Sequence, residues 1–322
     1  MSIILRRIVA LVSAVVVAAA ALTLTACTST TTTGSLKVVA TTTQVTEFSK
    51  TIVGSTGTVT GLLQANQNAH SFDPSASQLV ALSQAQAVVI SGAGLEPWIE
   101  NALAAANFTG IIIDASTGIP LIDGDPHVWT DPVLAKKMVA TIASGLTSMV
   151  ATNSSIVGDR SAIATTLTDN AARYEHKLTV LNEWVLASFA QVPVEKRLLV
   201  TNHDAFTYFV EAYDITFVGS IIPSFDDNAE PSAASIDALV RDIKASGAKA
   251  IFSEASISPK LANTIAAEAG VTVYSGDNAL YSDSLGAPGT AGATYISATV
   301  HNVTVLLNSW GYQPLPLPQE LG

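Results

Sequence analysis

A single cysteine, Cys27, occurs in 322 residues. No disulfide within the chain can staple the fold, so stability has to come from a buried core. Charge is also scarce, at 13% of residues against 48% hydrophobic. That composition excludes disorder over the whole length and supplies enough apolar side chain for two domains or one large two-lobed unit. Basic residues are the scarcer sign: setting Arg6 and Arg7 aside leaves thirteen against twenty-six acidic ones, a formal charge of −13. Nucleic acid is therefore excluded as a partner, and cations fit better. No H-E-x-x-H or G-x-S-x-G motif stands where a hydrolase needs one, so no catalytic residue and no enzymatic activity are expected. Histidine is rare as well, with His70, His127, His176, His203 and His301 making up the whole set.

Arg6 and Arg7 precede an apolar run from Ile8 to about Leu24, followed at once by Leu24-Thr25-Ala26-Cys27. A short apolar run behind positive charge, closed by small residues, reads as a secretion signal over residues 1–26 rather than a retained membrane helix. Leu-Thr-Ala-Cys resembles the lipobox of bacterial lipoproteins. That resemblance implies that Cys27 becomes the first mature residue, carries lipid, and anchors an extracytoplasmic protein to the cell membrane. The stretch TSTTTTGS after it is too polar and unpatterned to pack, so residues 27–35 read as a tether.

From Leu36 onward, short β-rich runs alternate with helical patterns. LKVVATT, TVTGLL and AVVISG read as strands around the helices VTEFSKTIVG and SASQLVALSQA. A second series runs from KRLLVTNHD through DITFVGSIIP, SIDALVRDIKASG, AKAIFSE and SPKLANTIAAEAG to VTVYSG. Alternation of this kind predicts an α/β fold with parallel sheets. LVALSQAQAVVISG and LVRDIKASGAKAIFSE match in plan, which predicts two similar lobes, each a parallel-type sheet flanked by helices. Between them, Ile163, Leu167, Leu178, Leu181 and Val185 have helical spacing. The reading is an N-terminal lobe over 36–158, one long rigid linking helix over 159–190, and a C-terminal lobe over 191–322.

Three histidines share a context. His70 follows the strand TVTGLL and precedes Asp73-Pro74; His127 precedes Asp131-Pro132; His203 follows a strand and precedes another helical pattern. Asp is a good N-cap and Pro a good first helical residue, so each Asp-Pro pair is expected to open a helix. Loops leaving the carboxyl ends of parallel strands form the crevice where ligands bind, so three imidazoles can converge there as a metal site in the cleft. Nearby helix N-termini favour the neutral imidazole that a metal requires. His176, among charged neighbours on the linking helix, is expected in solvent, and His301 on a helix surface. A fourth donor can come from Glu254, Asp277 or Asp283, all of which follow strands, and spacing does not choose among them.

The segments NAHSFDPSASQ, DPHVWTDP, TNHDAFTYFVEAY, AEPSAASIDALV, AIFSEASISPKLA and ALYSDSLG, in this order, resemble the zinc/manganese solute-binding lipoproteins of bacterial ABC importers. The resemblance spans about residues 36 to 312. It implies a metal held by His70, His127 of the HVW motif, His203 ahead of the DAF motif, and Asp283 of the D-S-L-G-like motif. Glu254 then fits an acidic position behind the ligands. The implied fold is two α/β lobes joined by a single long helix, and the implied partners are a divalent metal ion and an ABC importer permease, with the protein itself a monomer.

Three imidazoles and one carboxylate suit tetrahedral Zn2+ better than Mn2+, which prefers more oxygen ligands. Manganese-selective members commonly carry glutamate where this chain has His203. Many zinc-binding members carry a histidine-rich loop between the first two ligand motifs, whereas residues 71–126 here contain no histidine. The expected mechanism is capture: His70 and His127 bind first, then His203 and Asp283 from the second lobe complete the shell, with affinity falling below about pH 6 as imidazoles protonate. A secreted zinc hydrolase is the rival reading, but four protein donors leave no position for water. A surface adhesin role would add a partner without removing the metal site.

Overall fold

The computed structural model describes residues 36–322. The signal segment, Cys27 and the tether lie outside the described residues. The first half builds β1 (Leu36–Ala40), α1 (Thr43–Val53), β2 (Gly57–Gly61), α2 (Ala76–Gln84), β3 (Ala87–Ile90), α3 (Ile99–Ala105) and β4 (Ile111–Asp114). Two long helices follow, α4 (Pro132–Thr152) and α5 (Arg160–Phe189). The second half adds β5 (Leu198–His203), α6 (Thr207–Ala212), β6 (Thr216–Ile222), α7 (Ala233–Ser246), β7 (Ala250–Phe252), α8 (Lys260–Ala269), β8 (Thr272–Tyr274) and α9 (Tyr295–Trp310).

Both sheets are wholly parallel and share one plan, β2-β1-β3-β4 and β6-β5-β7-β8. In each, chain order reverses beside the first strand, so the crevice at the carboxyl ends opens between β1 and β3 and again between β5 and β7. The expected two-lobed α/β architecture is therefore what the chain adopts. Buried runs in the central strands β1 (Val38, Val39, Ala40) and β3 (Ala87, Val88, Val89) reflect cover on both faces, whereas the edge strand β2 alternates in burial.

α5 is capped by Asp159, whose carboxylate accepts from the amides of Ser161 and Ala162, and it runs thirty residues without a break. At 1.5 Å per residue that is roughly 45 Å. Its apolar face (Leu167, Leu178, Leu181, Val185) belongs to the main core, together with α4, α1 and α9. A smaller core lies on the other face of the second sheet, where Val200, Ile221 and Ile251 meet Leu239, Ile243 and Ile265 of α7 and α8.

The two Asp-Pro pairs behave differently. Asp131 accepts from the Val133 amide with Pro132 in the first turn, as expected. Asp73-Pro74 instead stays in the loop. Ser75 caps α2 through a reciprocal capping box with Gln78, which satisfies two orphan backbone donors where the Asp-Pro pair would satisfy one.

Candidate metal centre

His70 sits in the loop after β2, His127 in the loop before α4, and His203 is the last residue of β5. Asp283 lies in the loop between β8 and α9. Each of the four offers one ligand atom, and these atoms all lie within 4.8 Å of one another. Asp283 is central: its Oδ2 stands 3.4 Å from His70 Nε2 and 3.3 Å from His203 Nε2, and its Oδ1 stands 3.2 Å from His127 Nε2. All three nitrogens and both oxygens are buried without a hydrogen-bond partner among the described residues. Unpartnered polar atoms of this kind are costly in a fold unless something is meant to sit between them. A tetrahedral ion with bonds of roughly 2.0 to 2.1 Å has ligand atoms roughly 3.3 Å apart, so the donor set fits a small divalent cation.

Carboxylates behind the imidazoles fix their orientation. Asp125 Oδ1 accepts from both the backbone amide of His127 (2.8 Å) and its Nδ1–H (2.6 Å), which leaves Nε2 free to bind. Glu254 Oε1 accepts from the His203 amide (3.0 Å), and its Oε2 lies 2.7 Å from His203 Nδ1 while accepting from Ser282 Oγ. Glu254 comes from just beyond β7, the strand paired with β5, and thus occupies the second switch point. Among the described residues His70 has no such carboxylate behind its ring. Its loop is held by Asn68, whose Oδ1 accepts from the His70 and Ser71 amides, and by the Trp98 indole, which donates to the Ala69 carbonyl at 2.8 Å.

Trp98 is placed in turn by a tight loop. Gly92, Ala93 and Gly94 all have positive φ (84°, 55° and 81°), and the curl turns the Ser91 and Gly92 amides onto the buried Glu96 carboxylate. Burial raises the Glu96 carboxyl above its usual range despite those bonds.

Burial alone would lower the imidazole pKa values, but the surrounding carboxylates outweigh it. His127 is pushed up to about 9 by Asp283 and Asp125, and His203 well above its ordinary value by Glu254 and Asp283. Asp283 itself is held well below the carboxylate range, because the two imidazoles overcome its burial. The expectation that helix N-termini keep these histidines neutral therefore does not hold without metal: carboxylates within hydrogen-bonding distance exceed a distant dipole.

Among the residues singled out in the sequence, His176 is exposed on α5 and Asp277 is exposed after β8, both away from the cluster. His301 is only partly exposed, and its Nε2 donates to the Ala279 carbonyl (2.9 Å), tying α9 to the segment that leads to Asp283. Asp125, Glu96 and Trp98 were not singled out; the one available signal was the spacing Asp-Pro-His, which puts a carboxylate two residues before a histidine. Asp283 also differs from expectation in its attachments. Although it follows the second sheet, its loop is bonded to first-half residues: Gln44 Nε2 and Trp129 Nε1 donate to the Ser282 carbonyl (2.9 and 3.0 Å), the Asn66 amide to Ser284 Oγ (2.8 Å), and the Leu285 amide to Thr43 Oγ1 (2.8 Å).

A family model described as zinc-uptake complex component A, periplasmic, matches residues 38–309. The chain belongs to this family. Members of the zinc-uptake component A family are periplasmic metal-binding, solute-binding proteins rather than enzymes. The manganese-binding lipoprotein MntA of Halalkalibacterium halodurans is 26% identical over 278 residues, covering 85% of this chain and 88% of that protein. The zinc-binding lipoprotein AdcA of Streptococcus pneumoniae is 29% identical over 258 residues, 74% of this chain but about half (49%) of AdcA. The structure of the periplasmic zinc-binding protein TroA from Treponema pallidum superposes with a TM-score of 0.75 at 24% identity, over 85% of this chain and 98% of that one, which establishes the shared fold.

Proposed function

We propose that the protein captures one Zn2+ ion outside the cytoplasm, through His70, His127, His203 and Asp283, and delivers it to the permease of an ABC importer. The observation that carries this reading is the placement of Asp283, whose oxygens stand 3.2, 3.3 and 3.4 Å from three imidazole nitrogens that have no hydrogen-bond partner among the described residues. Three nitrogen donors favour zinc. The zinc-binding AdcA and periplasmic TroA are similar to this chain, in sequence and in fold respectively. Family membership supports the permease as recipient.

Capture works by closure: the lobe over 36–158 moves against the lobe over 191–322 about the helix over 159–190, and ligands from both halves supply the energy that holds them together. The protein acts as a monomer tied to the membrane by lipid on Cys27, with residues 27–35 as its tether. The hydrolase reading gains nothing, since four protein donors fill a tetrahedral shell.

Manganese is the second reading, and one observation favours it. Both oxygens of Asp283 face the cluster, so a bidentate carboxylate would give five donors with two oxygens, and MntA is named for manganese. Metal analysis of protein purified from its own host decides between them. One zinc per chain is expected, with a shift toward manganese in His203→Glu; manganese in the native protein would overturn the zinc assignment, and no metal would overturn the function.

A further inference from the structure

The mouth of the metal centre is bridged by side chains that bind no metal. Asn68, two residues before His70, uses its Oδ1 to accept from the His70 and Ser71 amides at 2.7 and 3.1 Å. With the carbonyl oxygen so engaged, the amide nitrogen has to face outward. There it donates to Asp227 Oδ1, in the loop after β6 of the other lobe. A second bridge runs alongside, from Asn228 Nδ2 to Ser71 Oγ at 3.3 Å.

The loop that carries Asp227 is braced rather than loose. Asp226 Oδ1 accepts from the Asn228 amide and from its side chain, both at 2.9 Å, and the Ser224 carbonyl accepts from the amide of Asp204 at 3.1 Å. Asp204 directly follows His203. The connection thus runs from His203 through Asp204 and Ser224 to Asp227, then across the cleft to Asn68 and His70, joining two ligands from opposite lobes by a route outside the metal shell. The ring of Phe225 in the same loop meets the His127 ring at a T-shaped angle, with centroids 6.4 Å apart.

We infer that Asn68 and Asp227 form a latch across the cleft that sets how long the closed protein keeps its ion, without taking part in coordination. This rests on the metal-binding reading above. Breaking the latch lets the lobes part while the four ligands are unchanged, so it speeds release and leaves association alone. The geometry also separates a latch from a merely attractive charge. Asp227→Asn keeps an oxygen to accept from Asn68 but removes the charge, whereas Asp227→Ala removes both.

The test uses the mature chain loaded with Zn2+, its release into excess chelator followed by stopped flow, and its association measured at low and high salt. Co2+ absorption reports whether the ligand set is intact. Asp227→Ala is expected to release the ion about tenfold faster with unchanged association and an unchanged Co2+ spectrum, while Asp227→Asn stays within about twofold of wild type. Unchanged release in Asp227→Ala would overturn the latch. So would equal effects of the two variants appearing as slowed, salt-sensitive association, which is the signature of electrostatic steering. Wild-type protein that takes up neither Zn2+ nor Co2+ would instead overturn the metal-binding reading, and the latch with it.

Discussion

The two lobes share a strand order but hold their histidines by different means. In the first, His70 and His127 sit on loops, and side chains fix them: Asn68 and Trp98 around one, Asp125 behind the other. In the second, His203 ends β5 and is fixed by Glu254 from the adjoining strand end. The loop-borne pair is held by these side chains, whereas His203 is held both by its pairing with Ile222 in the β5–β6 ladder and by a carboxylate. Asp283 blurs the division, because four hydrogen bonds from Thr43, Gln44, Asn66 and Trp129 tie its loop to the first half while Glu254 and Ser282 tie it to the second. If the first-half bonds dominate, three of the four candidate ligands would move with the first lobe, and His203 would be the one brought in from across the cleft.

Removing the shared ligand should break the site most severely. Asp283→Ala leaves three imidazoles without the carboxylate that stands between them, and is expected to weaken Zn2+ binding by about a thousandfold, or ~4 kcal/mol, in a competition titration. Retention of near-native affinity would show that the histidines alone suffice.

The division of labour is sharpened by comparing His203→Ala with His70→Ala in small-angle scattering. Wild type and His70→Ala should contract when saturated with Zn2+, since a ligand still reaches from each side. His203→Ala should bind weakly without contracting. Contraction in His203→Ala would place Asp283 with the second lobe after all.

Smaller effects are expected from the braces. Glu254→Gln and Asp125→Asn should each lower affinity by about 10- to 100-fold. Glu254 is expected to cost more, because its carboxylate meets the His203 amide, the His203 ring and Ser282, whereas among the described residues the Asp125 carboxylate accepts only from His127. The reverse order in calorimetry would mean that the loop-borne histidine depends more on its brace.

The smallest effect concerns stability rather than binding. Glu47 of α1 accepts from the Tyr174 hydroxyl of α5 at 2.8 Å, and burial pushes its carboxyl up to about 7. The folded state therefore binds more protons than the unfolded one between about pH 4.5 and 7, and stability falls as pH rises through that window. Glu47→Gln keeps the acceptor and removes the charge, so it should raise the melting temperature by a few degrees (~1 kcal/mol) at pH 8 and not at pH 4.5. An equal shift at both pH values would contradict the titration.

Much of this was legible in the sequence. The strand and helix alternation and a long helix beginning near residue 159 follow from local pattern, because parallel strands are short apolar runs and capped helices announce their ends. The Ser75 cap was missed because Asp73-Pro74 is an equally good local signal, and only the reciprocal bond with Gln78 decides between them. The braces were less legible for another reason: Trp98 meets Ala69 across 29 residues and Glu254 meets His203 across 51, contacts that no local spacing encodes. The raised imidazole pKa values are likewise a property of assembly, since Asp283 reaches His127 and His203 only in the fold.

Those raised values move the expected pH window upward. An imidazole whose folded pKa is about 9 still carries its proton at neutral pH in the metal-free protein, so the ion has to displace it, and affinity should climb well above pH 6. The most direct test of a histidine and aspartate site is calorimetric Zn2+ titration of the chain over residues 27–322 from pH 6 to 9, repeated in buffers of different ionisation heat to count released protons. The account predicts one ion per chain, about two protons released near pH 7.5, and affinity rising toward pH 9. An affinity indifferent to pH, with no proton released, would contradict it.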